Sequence, residues 1–147
     1  MPKIIHFYSV GDDYGEFSNF ARYPISIGKQ RWPTTEHYFQ AQKFVDTKAR
    51  EEIRKAKTPD IAARLGRDRK KKLRPDWDSA RIGVMRVALK AKFEQHPELA
   101  ELLLSTGEAK LVEHTENDDY WGDGGDGSGA NWLGRLLMEL RTDLNRR

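Results

Sequence analysis

The sequence contains no cysteine. That absence removes disulfides, thiolate nucleophiles and thiolate metal ligands together. Nor does any stretch approach the roughly 20 consecutive apolar residues that a membrane-spanning helix needs. The opening Met-Pro-Lys-Ile-Ile-His is too short and too polar for a secretory signal. The expectation is a soluble cytoplasmic protein with no membrane association and no evident obligate protein partner. Excess charge of one sign is also scarce: 26 Lys and Arg face 23 Asp and Glu, a net +3, with a pI near 9.1. Such a balance does not demand a nucleic-acid partner. One basic run departs from it, R-L-G-R-D-R-K-K-K-L-R at 64–74. It reads either as a solvated helix end and loop or as a track for a phosphate backbone.

Several chemistry-bearing patterns are missing as well. There is no P-loop lysine, no dinucleotide-binding glycine fingerprint and no nucleophile elbow beside a serine-histidine-aspartate set. The aspartates of D-G-G-D-G at 123–127 lack the spacing and terminal glutamate of a calcium loop. His6, His37, His96 and His114 are scattered, with no helical metal-ligand spacing between any two. No metal and no cofactor are therefore expected.

What is present organises as one domain over residues 1–147, long enough to bury a substantial core. Residues 3–9 are β-branched and aromatic and predict an opening strand. Residues 25–27 and 30–32 flank Gly28-Lys29 as a hairpin. A helix is predicted from about Thr34 to Val45, then a polar, exposed one capped by Asp46. Thr58-Pro59-Asp60 marks another start, with a capping threonine, a first-turn proline and an acid, and that helix ends at Gly66. The longest helix opens at Asp76 or Asp78 and runs to about Gln95, with Ile82, Met85, Leu89 and Phe93 as its apolar stripe. A helix over 97–105, an extended piece over 109–115 and a leucine-striped helix from about Asn131 complete the chain. The predicted class is mainly α (α+β), a compact single-domain helical fold with a small antiparallel β element from the N-terminal third. The strand-helix alternation of a parallel α/β sheet is missing.

Two segments carry polar groups that a core has no use for. The first is W-P-T-T-E-H-Y-F-Q-A-Q-K-F at 32–44. A helix starting at Thr34 or Thr35 puts Glu36 in its first turn, where the helix dipole favours the carboxylate. Glu36, Phe39, Gln40 and Lys43 would then share a face. The second is N-D-D-Y-W-G-D-G-G-D-G-S-G-A-N at 117–131, with five glycines. Its aspartates would repel a phosphate, so it reads as backbone brought close to a sugar or base, with Trp121 as a stacking surface. Carboxylates, amides, rings and cations in this combination suit cleavage of a glycosidic bond to a flat polar base. Rings stack on the base, cations hold a phosphate, and a carboxylate stabilises oxocarbenium charge or activates water.

F-S-N-F (17–20), the 32–44 segment, A-A-R-L-G-R (62–67), R-P-D-W-D (74–78), V-M-R-V-A-L-K-A-K-F (84–93) and the run from His114 to Arg141 closely resemble the YbiA-like, or NADAR, family. The resemblance covers essentially the whole chain. It implies an N-glycosidase that acts on phosphoribosylamino-pyrimidine intermediates of riboflavin biosynthesis and releases ribose 5-phosphate and a free aminopyrimidine. Other members remove ADP-ribose from guanine in DNA or RNA, which makes ADP-ribosylated nucleic acid the alternative partner. A third reading, of another class, is a non-catalytic ADP-ribose or nucleotide binder. Carried onto this sequence, the resemblance makes Glu36, Asp123 and Lys43 the catalytic candidates. Asn19, Phe20, Trp32, Trp77, Arg81, Lys90, Trp121, Gly122 and Asn131 become the substrate-binding ones. Glu36 is cast as water-activating base or cation stabiliser and Asp123 as second carboxylate. For Lys43 two roles stand open, a phosphate contact and attack on the anomeric carbon to form a Schiff base.

Overall fold

A computed structural model describes residues 3–147. Met1 and Pro2, the first residues of the stretch judged too polar for a secretory signal, lie outside the described residues. The chain sorts into two compact units, Met1–Ala21 with His96–Arg147, and Arg22–Gln95. Each has its own elements.

The second unit opens with β2 (Ile25–Ile27) and β3 (Gln30–Trp32), antiparallel in the register Ile25↔Trp32. Gly28 and Lys29 connect them with φ of 60° and 69°. Positive φ at both central residues defines the tight turn whose twist matches paired strands. Three helices follow, α1 (Thr35–Ala41), α2 (Thr47–Arg54) and α3 (Pro59–Gly66), each begun by a side chain that accepts a backbone N–H. Thr34 takes that of His37, Asp46 that of Lys48, and Thr58 that of Ile61. A cap of this kind contributes about 1 kcal/mol. The long α4 (Trp77–Gln95) buries Met85, Leu89 and Phe93 as its stripe predicts. Ile25, Trp32, Ala41, Phe44, Ile53, Ala62 and Ala88 form the shared core of β2, β3, α1–α4 and the segment after α1. Within α4, Lys92 is fully buried, its ammonium 5.7 Å from the ring centroid of Tyr23 and 5.8 Å from that of Phe93. Two aromatic faces partly replace its lost water.

One sequence expectation changes here, and one choice between two is resolved. The helix predicted to reach Val45 stops at Ala41. The Lys43 and Phe44 N–H groups bond three residues back, to Gln40 and Ala41. Phe44 then forms a bridge with Leu73, and the Arg74 N–H reaches the Lys43 carbonyl at 2.8 Å. Pairing with a segment thirty residues away overrides local helical propensity. The predicted start at Asp76 or Asp78 resolves as α4 beginning at Trp77. The Asp76 carbonyl accepts from Ser79 and Ala80, while its carboxylate is clasped by Arg74 at 2.6 and 2.8 Å.

The first unit holds β1 (Ile4–Phe7), a short 3₁₀ turn over Gly15–Phe17, α5 (Pro97–Ser105), β4 (Lys110–Glu113) and α6 (Trp132–Asn145). β1 pairs with β4 in parallel, Ile4 opposite Lys110 and Phe7 opposite Glu113. The antiparallel element of the sequence reading is β2–β3, and β1–β4 is a separate, parallel pair that the reading did not foresee. Leu133, Leu136, Leu137 and Leu140 of α6 are buried. Arg141 ties α6 to the end of α5 by donating to Thr106 Oγ1 at 2.8 Å. Among the described residues no helix is long and apolar enough to cross a membrane.

α6 lies close against β4 through Gly134, where an added Cβ would overlap the Leu111 carbonyl and the Asn131 amide. Gly83 in α4 has open space at the same position. Gly134→Ala is therefore expected to lower the unfolding free energy by about 1–3 kcal/mol, and Gly83→Ala to raise it by about 0.5–1 kcal/mol. Urea denaturation of both variants checks this. A loss at Gly134 no larger than the change at Gly83 would contradict the close approach.

Candidate active site

Two clusters, one in each unit, hold the residues singled out from the sequence. In the second unit the controlling feature is the start of α1. Thr34 Oγ1 accepts the His37 N–H at 3.1 Å and lies 2.8 Å from His37 Nδ1. His37 Nε2 lies 3.0 Å from the Ala56 carbonyl. A carbonyl can only accept, so Nε2 carries the proton and Nδ1 accepts the threonine hydroxyl. Burial lowers the His37 pKa, the Ala56 bond opposes that, and Arg22 adds to it. His37 is thus a structural histidine that sets the first turn.

Glu36 then follows in a buried position, accepting from Gln40 Nε2 at 2.7 Å one turn later. Lys43, now beyond the helix, still reaches the same face. Its ammonium is 5.9 Å from the Phe39 ring centroid and donates to the Gly66 carbonyl at 3.4 Å. Burial lowers the Lys43 pKa, the charge of Glu36 raises it, and that of Arg67 lowers it again. Phe39 lies 5.1 Å from Trp77 at the head of α4. Gly66 lets α3 approach, because a side chain there would overlap the Gln40 amide. Gln40 Oε1 is buried without a hydrogen-bond partner.

The other candidates of this unit fall less neatly. Trp32 is 2% exposed within the core, packed edge-on against Tyr38, with its indole N–H unpaired. Arg81 is half-buried one turn after Trp77. Lys90 is exposed, and nine residues at about 100° each turn it to the opposite side of α4 from Arg81. The structure does not bring Lys90 together with Trp77 and Arg81. Of the basic run, Arg74 is committed to Asp76, and Lys71 lies 3.7 Å from Glu52.

In the first unit the glycine-rich loop is a tightly bonded scaffold. Asp118 Oδ1 accepts from the Tyr120 and Trp121 N–H groups at 2.9 and 2.8 Å. The Asp123 N–H donates to the Glu113 carbonyl. The first N–H groups of α6, those of Trp132 and Leu133, donate back to the Tyr120 and Trp121 carbonyls at 3.0 Å. Those donors would otherwise cradle an anion at a helix start, so this loop is no phosphate nest. Asn131 spends its side chain on β4, accepting from the Glu113 N–H at 3.0 Å and donating to the Leu111 carbonyl at 2.9 Å. Gly122 is buried where a Cβ would lie within 3 Å of the Glu113 and Asp118 carbonyls. Trp121 is half-buried with its ring edge-on to Tyr120. Asn19 is buried and Phe20 half-buried beyond the 3₁₀ turn.

Asp123 is the hub of that loop. Its Oδ1 accepts from Thr115 and Gly125 N–H groups at 3.0 and 2.9 Å, and its Oδ2 lies 2.7 Å from His114 Nδ1. Burial would raise its pKa, but the bonds from His114, Gly125 and Thr115 outweigh it and hold the carboxyl down to about 2. A group so acidic carries no proton to give near neutrality, which removes a general-acid role. Sequence reasoning missed His114. The nine-residue gap to Asp123 has no period to read, and only the folded loop closes it.

A family model described as the NADAR domain matches residues 6–145. The chain is 66% identical to N-glycosidase YbiA of Escherichia coli over 144 residues, 98% of this chain and 90% of that one. It is 46% identical to the chloroplastic riboflavin biosynthesis protein PYRR of Zea mays, covering 97% of this chain and 25% of the longer plant protein. The NMR structure of E. coli YbiA superposes with a TM-score of 0.92 at 64% identity, covering 99% of this chain and 88% of that one.

Because the Asp123 pKa lies below its ordinary 3.8, its contribution to stability is complete above that value and is lost as pH falls toward about 2. Asp123→Asn should therefore cost stability at neutral pH, and its deficit relative to the parent should shrink on acidification. Urea midpoints at pH 7, 5, 4 and 3 measure this. A deficit that stays constant with pH would show that the carboxylate charge is not what holds the loop.

Proposed function

We propose a substrate and mechanism for this chain from the fact that it belongs to the NADAR family, as an N-glycosidase acting on N-glycosyl compounds. It hydrolyses the N-glycosidic bond of phosphoribosylamino-pyrimidines, intermediates of riboflavin synthesis in the cytoplasm, to ribose 5-phosphate and the aminopyrimidine. The relative from Zea mays, which carries riboflavin biosynthesis in its name, supports that substrate class. The observation that carries the chemistry is the placing of a buried carboxylate, Glu36, in the field of a half-buried amine, Lys43, beside Phe39 and Trp77.

In the direct route, the bond from C1′ to the base nitrogen breaks with its electron pair leaving on the aminopyrimidine, whose nitrogen takes a proton from solvent. Glu36 faces the oxocarbenium charge, takes a proton from the water that adds to C1′, and returns that proton to solvent. The Phe39 and Trp77 rings supply apolar faces for the flat base. The lowered Lys43 pKa favours a second route. A neutral Nζ attacks C1′, the base departs with its electron pair and takes a proton from the attacking nitrogen, and the C1′–O4′ bond breaks with O4′ taking a proton from solvent to leave a protonated imine. Water deprotonated by Glu36 then adds to the imine carbon, and the amine leaves to regenerate Lys43. A lysine kept only for phosphate contact has no need of partial burial, which disfavours its charge.

Glu36→Gln is expected to lower turnover on the phosphoribosylamino-pyrimidine by at least ~100-fold, the scale of a positioned acid-base group. Near-normal turnover would remove Glu36 from the mechanism. Borohydride added during turnover is expected to trap a covalent sugar adduct in the parent that Lys43→Ala does not form. Absence of the adduct in the parent leaves the direct route. Release of ADP-ribose from a modified guanine oligonucleotide, at a rate exceeding that on the small substrate, would replace the substrate proposed here.

A further inference from the structure

One group of titratable side chains in the first unit is used by neither route. Parallel pairing sets His6 of β1 opposite Val112 of β4. The ladder continues for one more bond, from the His114 N–H to the Phe7 carbonyl at 2.9 Å. His114 thereby emerges beside His6, the two ring centroids 4.9 Å apart. The glycine-rich loop returns to the same strand end, and Asp123 Oδ2 comes within 2.7 Å of His114 Nδ1. One donor atom from each of His6, His114 and Asp123 lies within 4.8 Å of the other two.

We propose that His6, His114 and Asp123 bind a divalent transition-metal ion of the zinc type, with the remaining coordination positions open to solvent. Bonds of about 2.0–2.1 Å around a tetrahedral ion place neighbouring donors about 3.4 Å apart. The widest pair therefore has to close by up to about 1.4 Å and the hydrogen-bonded His114–Asp123 pair to open by about 0.7 Å, and the two exposed imidazoles can supply both by rotating. Asp123 itself can stay in place while the His114 ring moves off it. Two backbone N–H groups fix its inner oxygen, its outer oxygen is the one turned to His114, and its carboxyl is ionised at any ordinary pH. A carboxylate ligand held by its own hydrogen bonds is the supporting arrangement that metal sites require. The ion would take the place of the hydrogen that His114 Nδ1 donates to the Asp123 carboxylate. Two imidazoles and one carboxylate suit zinc, cobalt or nickel, whereas calcium and magnesium require a shell of oxygens. Binding would link β1, the end of β4 and the loop through one centre.

The test uses the whole chain without a histidine tag and reads binding directly, so its outcome is independent of the glycosidase reaction. Zinc chloride is titrated by calorimetry, and cobalt(II) chloride is followed by its visible absorption. The expected result is one ion per chain, with cobalt bands showing nitrogen and oxygen coordination. Affinity should fall at least about tenfold in His6→Ala and in the similarly shaped His6→Gln. His96→Ala, which removes an imidazole placed 3.6 Å from Glu98, is expected to leave it unchanged. Zinc should also raise the melting temperature of the parent more than that of His6→Gln. No saturable binding in the parent would overturn the site. So would undiminished binding in both His6 variants, or loss of binding in His96→Ala.

Discussion

The hydrogen bonds between Thr34 and His37 govern the chemistry of the second unit. One threonine oxygen takes the backbone N–H that starts α1 and gives its own proton to the imidazole of the same residue. The far side of that ring holds the Ala56 carbonyl just beyond α2. Both side chains are wholly buried, so water cannot substitute for either partner, and an unmade bond would cost the full desolvation of its groups. The helix origin is fixed in this way, and with it the direction of Glu36, Phe39 and Gln40 along α1. Without that anchor a seven-residue helix would be too short to hold itself.

The first unit solves a different problem by the same means. Its glycine-rich loop has little apolar surface to bury, so backbone carbonyls and three aspartates take up its N–H groups. Asp118 gathers two, Asp123 gathers two, and Asp126 takes that of Ser128. The glycines follow from that wiring. At Gly125, for example, φ is 90° and a side chain would overlap Glu116, so only glycine meets both demands. The acidic residues that argue against phosphate binding are thus the internal fasteners of the loop. One of them, Asp123, keeps an oxygen facing two histidines.

Partial burial of Lys43 links structure to reactivity. Loss of water disfavours its charged form, the Glu36 carboxylate restores part of that stability, and Arg67 removes some again. The amine is left easier to deprotonate than a surface lysine, beside a carboxylate able to accept a proton from water. Neither residue type is unusual alone. The reactivity proposed for the pair comes from placing them on one face, where α3 can approach only because position 66 has no side chain.

Most of the elements were legible in the sequence because their signals are local. Thr34, Asp46 and Thr58 cap the helices they were expected to cap. Gly28-Lys29 makes the hairpin, and the stripes of α4 and α6 are buried at Met85, Leu89, Phe93, Leu133, Leu136, Leu137 and Leu140. The family was legible too, since its long motifs are contiguous. The end of α1, the parallel partner of β1, the burial of Lys92 and the meeting of His6, His114 and Asp123 were not. Each depends on segments tens of residues or more apart in sequence, and no local period records such a pairing. Propensity, capping and motif order belong to neighbours along the chain, so where helices begin and which family they build can be read from the residues alone. Strand partners, charge environments and the free faces of side chains depend on what the folded backbone brings alongside, and no run of residues carries them.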